Sequence, residues 1–310
     1  MDREINTIEP GLSVVVPVFN GIKYISDTLD SLECLEKMIQ CEIIFQNCHS
    51  TDGTTEVLNE FCANRDNRYH FNESDRGQSD AINKGMERAC GKWVTWLCAD
   101  DVILPAVLDA IREGDRRKID IVYGDVIFVS NASVTPAMGT EKYYQGVLSK
   151  KRLVIQQPGT CILRRVWKEM NGVQEHLNWA MDYDLFMRME TAGKKFYRCK
   201  EYLAIIRIHS EAKTSSPSFA RFREIMSIIW QSHKRKPKYF RLKPYAIYFL
   251  EYVIKGLEVK QSGAPQRIII KVLRKAVHGV FWIIAQPVES RDIRIRYNQL
   301  PEYIKLRLKI

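Results

Sequence analysis

The sequence predicts an α/β protein: a sheet of short strands interleaved with amphipathic helices, followed by a basic, mainly helical region. Three observations predict it. Short β-branched runs alternate with stretches whose apolar residues recur every three or four positions through the first 130 residues. Each run ends in a polar loop carrying Gly, Asn or Asp. Charge is divided unevenly: residues 1–218 hold 27 Lys/Arg and 31 Asp/Glu, a net −4, whereas residues 219–310 hold 20 and 6, a net +14.

Leu12-Ser-Val-Val-Val-Pro-Val18 has no helical period and stops at Phe19-Asn20-Gly21, which makes it a buried strand followed by a turn. Over residues 22–38, Ile22, Ile25, Leu29, Leu32, Leu35 and Met38 form the inner stripe of a helix packed on the sheet. Glu42-Ile-Ile-Phe45 is the second strand, and Ser50-Thr51-Asp52-Gly53 supplies a turn and a cap for a helix over about 54–64. The alternation continues with a short strand at 68–71, a helix at 79–89 and a strand at 93–97 that runs into Asp100-Asp101. Pro105 opens a helix to about 117, and 119–129 is a further strand. Residues 130–158 are rich in Ser, Thr, Gly and Pro and too long for a routine connection, which favours an active-site or acceptor-facing loop. A boundary is expected after Ser215-Ser-Pro-Ser218, dividing a catalytic domain at 1–215 from an extension at 216–310.

Composition narrows the class. With 310 residues, 45% of them hydrophobic and 16 Gly and 11 Pro among them, the chain builds a core and is neither collagen-like nor low-complexity. The opening residues lack a basic stretch followed by an apolar one, so no secretory signal is expected. The apolar runs 246–254 and 277–285 fall well short of the roughly 20 residues of a spanning helix. A cytoplasmic location follows as the expectation, with the eight cysteines as reduced thiols rather than zinc ligands, since no CxxC pair occurs. Neither GxGxxG nor GxxxxGK[ST] occurs, so nicotinamide and P-loop chemistry lose their usual support.

The polar clusters are of another kind. Asn47-Cys-His-Ser-Thr-Asp-Gly53, residues 73–85 and Asp100-Asp101 all follow strands and are expected at one edge of the sheet, where open α/β sheets bind ligands. Ser13-Val-Val-Val-Pro-Val-Phe-Asn20, His49-Ser-Thr-Asp-Gly-Thr54, Asp75-Arg-Gly-Gln-Ser-Asp-Ala-Ile-Asn-Lys-Gly85, Ala99-Asp-Asp101, Met181-Asp-Tyr-Asp-Leu185 and Arg207-Ile-His209 occur in that order. Together they resemble family 2 glycosyltransferases with the nucleotide-diphospho-sugar transferase (GT-A) fold, over about two thirds of the chain.

The resemblance implies a nucleotide-sugar donor, a glycan or lipid-linked acceptor, and a divalent cation, Mn²⁺ or Mg²⁺. The chemistry agrees: releasing a nucleoside diphosphate needs positive charge held by hard oxygen ligands, which adjacent carboxylates at a strand end can supply. By the same resemblance Asp101 is assigned to the cation, Asp100 mainly to ribose, and His209 to the metal and diphosphate; Arg207 binds phosphate or pairs with a carboxylate of the body. Many relatives carry an acid or Asn where this chain has Cys98. Pro17, Phe19 and Asn20, with Asp75, Arg76, Asp80 and Asn83, are expected to contact the donor, Asp80, Asn83 and Lys84 sharing one helical face. Asn47 stands where relatives place an Asp that accepts the base imide proton. Its carbonyl still accepts, without charge, so a uridine donor is expected while guanosine and deoxythymidine stay open.

Asp182 is the expected general base for the acceptor hydroxyl, at the start of a helix whose Leu185, Met189 and Ala192 pack inward; Asp184 is the competing residue. Direct attack by one acceptor oxygen inverts the anomeric configuration. A glycosidase also pairs carboxylates, but hydrolysing a glycoside needs no diphosphate cradle. In the basic region, aromatic residues such as Tyr245, Tyr248, Phe281 and Trp282 interleave with Lys/Arg, a composition suited to peripheral contact with an anionic membrane surface, to a solvated helical cap or to an oligomer contact. Nucleic acid is not an expected partner, because no recognition motif accompanies the charge. A non-catalytic sugar-nucleotide-binding scaffold is the alternative to the enzyme.

Overall fold

A computed structural model describes residues 11–130, 133–136, 148, 155–213 and 219–232. In chain order the strands are β1 (Leu12–Val18), β2 (Cys41–Asn47), β3 (Arg68–Asn72), β4 (Trp93–Trp96), β5 (Val102–Ile103), β6 (Ile121–Ser130), β7 (Ser133–Pro136), β8 (Thr160–Leu163) and β9 (Phe196–Ile208). The helices are α1 (Ile25–Glu36), α2 (Thr54–Cys62), α3 (Gln78–Arg88), α4 (Val107–Arg117), α5 (Arg164–Glu169), α6 (Met181–Thr191) and α7 (Phe219–Ser232).

One sheet runs β3-β2-β1-β4-β8-β6-β9-β5, with β7 paired to β6. β1 is parallel to β2 on one side and to β4 on the other, whereas β8 joins β4 and β6 antiparallel. The strand order therefore reverses at β1, and a crevice opens beyond the C-terminal ends of β1 and β4. All seven residues of β1 are buried because both of its faces are covered. Leu12, Val14, Val16 and Val18 pack with Ile25, Leu29 and Leu32 of α1 and Leu108 and Ile111 of α4. Val15, on the opposite face, joins Ile82 and Met86 of α3, Leu185, Phe186 and Met189 of α6, and Met226 and Ile229 of α7.

Elements with strong local periodicity match their expected positions to within a few residues. α1 starts at Ile25 rather than residue 22 because Tyr24 and Ile25 both donate to the Gly21 carbonyl at 3.0 Å, closing a turn ahead of the helix. Leu185 and Met189 pack inward as expected, but Ala192 is exposed, since α6 ends one residue before it. β5, β8 and the first half of β9 were not separable in the sequence. β5 has two residues, and β8 and β9 are specified by partners far away in the chain.

α7 lies beyond the boundary expected at residue 215, yet Met226, Ile228 and Ile229 are buried in the same core as α3 and α6. The Lys234–Lys243 cluster, the 268–284 pattern and most of the 130–158 stretch lie outside the described residues. Among the described residues no helix is long and apolar enough to cross a membrane. The eight cysteines are free thiols.

Candidate active site

The crevice at β1 and β4 is a cleft of about 1320 Å³. Pro17, Phe19 and Asn20 line it from the end of β1, Asp75 from the loop before α3, Cys98, Asp100 and Asp101 from the end of β4, and Asp182 from α6. Arg207 and His209, from the end of β9 and just beyond, line it beside the two acids.

The acidic loop is held from several directions. Thr28 of α1 donates its hydroxyl to the carbonyls of Ala99 and Asp101 at 3.0 and 2.7 Å. The Arg207 backbone N–H donates to Asp101 Oδ1 at 3.2 Å, while its guanidinium pairs with Asp27 and lies over the Tyr24 ring. His209 Nε2 lies 2.8 Å from Asp100 Oδ2, and the imidazole packs on Tyr24 with ring centroids 4.3 Å apart. Arg207 thus takes the carboxylate-pairing role open to it, and its main chain orients Asp101.

The Cys98 thiol and the Asp100 and Asp101 carboxylates bring their side-chain atoms within 4.8 Å of one another. The two carboxylates fit a hard divalent cation, whereas burial pushes the Cys98 thiol well above its usual range and keeps it a neutral neighbour. Burial first, and then the Asp100 carboxylate, push Asp101 well above the usual carboxylate range, a repulsion that positive charge between the two would relieve. His209 Nδ1 is buried with no hydrogen-bond partner among the described residues, which leaves a ring nitrogen for a further ligand or cation.

Across the cleft, Asp182 is the second residue of α6. Its Oδ1 accepts the Tyr183 N–H at 2.7 Å. Burial pushes its carboxyl up to about 6, outweighing that backbone hydrogen bond and the positive charge of Arg221, both of which act to lower it. Asp184 is turned away and engaged by Arg188 at 2.8 Å, one helical turn on. Arg188 in turn donates to the carbonyls of Met170 and Gly172. The two acids of the motif are therefore separated by environment: one opens on the cleft, and the other anchors the segment before α6.

The family model for glycosyl transferase family 2 matches residues 13–170, just over half of the chain. The chain belongs to glycosyl transferase family 2. It is 24% identical over 244 residues to an uncharacterized glycosyltransferase of Rickettsia bellii, covering 75% of this chain and 34% of that protein. It is also 24% identical over 198 residues to the hyaluronan synthase of Pasteurella multocida, covering 62% of this chain and 20% of the synthase. It thus spans about a third and a fifth of these two relatives' lengths. Among solved structures, S. aureus TarS 1–349 in complex with UDP-GlcNAc superimposes with a TM-score of 0.63 at 19% identity, over 84% of this chain and 79% of that one. The mannosyltransferase PcManGT of Pyrobaculum calidifontis, with GDP-Man and Mn²⁺, gives 0.52 at 13% identity, over 97% and 81%. The GT-A fold expected from the sequence is the fold observed.

Within this family 2 chain, four of the expected donor contacts are not among the residues lining the cleft, and each has another partner. Asn47 is fully buried: its Nδ2 donates to Thr55 Oγ1 at 3.0 Å and its Oδ1 accepts the Ser50 N–H and hydroxyl at 3.2 and 2.6 Å. The carbonyl expected to meet the nucleobase is thereby occupied by a turn, and Cys48, the next residue, lines the cleft instead. Asp80 reaches back to the Arg76 N–H at 2.9 Å and pairs with the Arg76 guanidinium and with Lys84, the geometry of an acid closing a helix N-terminus. Arg76 also pairs with Glu175. Asn83 grips Val173, donating to its carbonyl at 2.8 Å and accepting its N–H at 3.0 Å.

Sequence reasoning missed Thr28, Trp179, Lys213 and Arg221. Thr28 was legible: it is a polar residue on the stripe defined by Ile25, Leu29 and Leu32, so it was bound to be buried and in need of an acceptor. Trp179, Lys213 and Arg221 line the cleft from segments without periodic pattern or from beyond the expected boundary.

Proposed function

We propose that this chain is a metal-dependent, inverting glycosyltransferase that moves a sugar from a nucleoside-diphosphate donor, a UDP-sugar, to a hydroxyl of a glycan or lipid-linked acceptor. The observation that carries the reading is the division of labour in one cleft. Two carboxylates with a thiol beside them, and an imidazole whose buried Nδ1 has no partner among the described residues, form one wall, and a desolvated carboxylate stands on the other. Asp101, with Asp100 and His209 beside it, would hold Mn²⁺ or Mg²⁺. When bound, the cation supplies positive charge for the diphosphate leaving group.

Asp182 accepts the proton of the acceptor hydroxyl as that oxygen bonds to the anomeric carbon and the bond from that carbon to the diphosphate breaks. A carboxyl poised at about 6 is well matched to this, being ionised at neutral pH yet a stronger base than an ordinary aspartate. Phe19, 67% exposed at the rim, and Asn20 offer an aromatic face and a polar edge to the donor. Similarity to a structure holding UDP-GlcNAc supports uridine, and the one holding GDP-Man keeps guanosine in the screen. Similarity to a hyaluronan synthase supports a role in polysaccharide synthesis.

Titration calorimetry with UDP, GDP, dTDP, CDP and ADP, with and without Mn²⁺, tests the donor site. We expect Mn²⁺-dependent binding of UDP in preference to the other four; no binding of any of them would leave the non-catalytic scaffold as the better reading.

The net +14 of residues 219–310 supports attachment at the inner face of the cytoplasmic membrane. Sedimentation with vesicles containing anionic lipid is expected to carry the protein down at low salt and release it at high salt; equal binding to neutral vesicles would refute this.

A further inference from the structure

The segment between α5 and α6, which delivers Asp182 to the cleft, is pinned along its length by side chains from elsewhere. Arg188 takes the Gly172 carbonyl at 2.7 Å, Asn83 grips Val173 on both sides, and the Ser79 hydroxyl donates to the Leu177 carbonyl at 2.7 Å. Gly172 is needed here, with a φ of +63° and a position where a Cβ would fall 2.4 Å from Asn83 Oδ1. Among the described residues, the N–H groups of the last three residues before α6 all go to one side chain. Glu224 of α7 accepts the N–H groups of Asn178 at 2.9 Å through Oε1, and of Trp179 and Ala180 at 2.8 and 3.1 Å through Oε2.

Three consecutive N–H groups converging on one carboxylate form a charge-assisted clamp, and they lead directly into the positive end of α6. Asn178, Trp179, Ala180 and Asp182 all line the cleft, as do Arg221 and Ile225 on either side of Glu224. Glu224 itself is not among the lining residues; it grips the segment that carries the base. Resting on the assignment of Asp182 as base, we propose that Glu224 is a positioning residue: it fixes the 178–180 backbone so that the Asp182 carboxylate is held in its desolvated place facing the acceptor.

The charged groups around Asp182 are Arg221 from α7, Asp184 on its own helix, already paired with Arg188, and Asp100 and Asp101 on the facing wall of the cleft. Lys213 also lines the cleft and lies close enough to Glu224 to feel its charge, so Glu224→Gln, which removes that charge but keeps an acceptor oxygen, separates the loss of charge from the loss of the clamp. Glu224→Ala frees three backbone donors and lets water reach Asp182. Glu224→Gln keeps one acceptor oxygen and presents an amide N–H to the remaining donors.

The test reads UDP release from UDP-GlcNAc, UDP-Glc and UDP-Gal with water as acceptor, the Kd for UDP, and the pH dependence of unfolding for wild type, Glu224→Ala, Glu224→Gln and Asp182→Asn. We expect kcat to fall about 10- to 100-fold in Glu224→Ala and less in Glu224→Gln, with Kd within about threefold of wild type. The proton-linked component of unfolding, near pH 6 in wild type and absent in Asp182→Asn, is expected to move toward the ordinary aspartate range. If Glu224→Ala does not fold, Glu224→Gln and its unfolding profile decide. Unchanged kcat and an unmoved component in the Glu224 variants, with Asp182→Asn inactive, would overturn the positioning role alone. An active Asp182→Asn would overturn the base assignment and this proposal together.

Discussion

Asp182→Asn is expected to abolish transfer while making the protein more stable at neutral pH. The substitution is nearly isosteric, and the Asn Oδ1 can still accept the Tyr183 N–H that Asp182 accepts at 2.7 Å. What it removes is the basic lone pair, a loss worth about 10²- to 10⁴-fold in rate when a general base is deleted. Nucleotide affinity should stay close to wild type, since Asp100, Asp101 and His209, the residues proposed for the cation and donor, stand on the other wall. In the wild type the rate should rise with pH along a limb centred near 6, because only the ionised carboxylate accepts a proton.

The stability effect has a definite sign. Burial raises the Asp182 pKa above its value in the unfolded chain, so the folded state binds the proton more tightly. That contribution to stability is complete below the unfolded pKa, near 4, and is lost as pH rises through about 6. The Asn variant has nothing to ionise. At pH 8 it should be more stable by on the order of 1–2 kcal/mol, less than the full shift implies because the carboxyl borders the cleft, and the advantage should disappear near pH 4. Urea unfolding at pH 4, 6 and 8 measures this, and equal stability of the two proteins at all three would show that the carboxyl is not desolvated. An activity–stability trade of this kind is expected of a site that holds a charge where the fold alone would not.

Asp101→Asn should remove the response to divalent cation. Asn keeps an acceptor for the Arg207 N–H and preserves the loop, but it takes away a full negative charge from the group formed with Asp100 and Cys98. Nucleotide binding in Mn²⁺ is expected to fall at least about tenfold, to the level of the wild type stripped with EDTA, and transfer to fall at least about 100-fold. EDTA should then have no further effect on the variant, because chelation and substitution remove the same interaction. An Asp101→Asn protein that still gains affinity on adding Mn²⁺ would move the cation elsewhere in the cleft. Asp100→Asn, acting mainly on ribose, should weaken nucleotide binding with and without metal alike.

The residues most legible in the sequence are those whose place follows from a strand ending. Pro17, Phe19 and Asn20 after β1, and Asp100 and Asp101 after β4, had to lie on one edge because adjacent parallel strands finish together. Asp182 was legible through its motif, and the structure separates it from Asp184 by giving the latter Arg188. Asn47, Arg76, Asp80 and Asn83 were expected at the donor because the family resemblance places its base- and donor-contacting stretches there. In the structure their side chains are engaged by a turn, a helix N-terminus and the segment before α6. A polar side chain beside a site serves the ligand or the scaffold according to which partner lies within about 3 Å, and sequence spacing does not carry that distance.

By itself, then, the sequence determined the α/β alternation, the sheet edge where the cleft opens, the family and the carboxylates that face the cleft. Hydrophobic period and strand-end position are properties of neighbouring residues, and they survive without knowledge of the rest of the chain. Only the tertiary structure decided the rest: Cys98 beside the two acids, Thr28 and the Arg207 main chain holding Asp101, α7 packed into the core, and Glu224 gripping the backbone ahead of Asp182. Each of these joins residues tens of positions apart or more, except Cys98, whose neighbours in sequence do not reveal how closely the side chains converge. A hydrogen bond or a ligand group depends on ångström distances between atoms that the sheet and its helices bring together, and no local pattern encodes those.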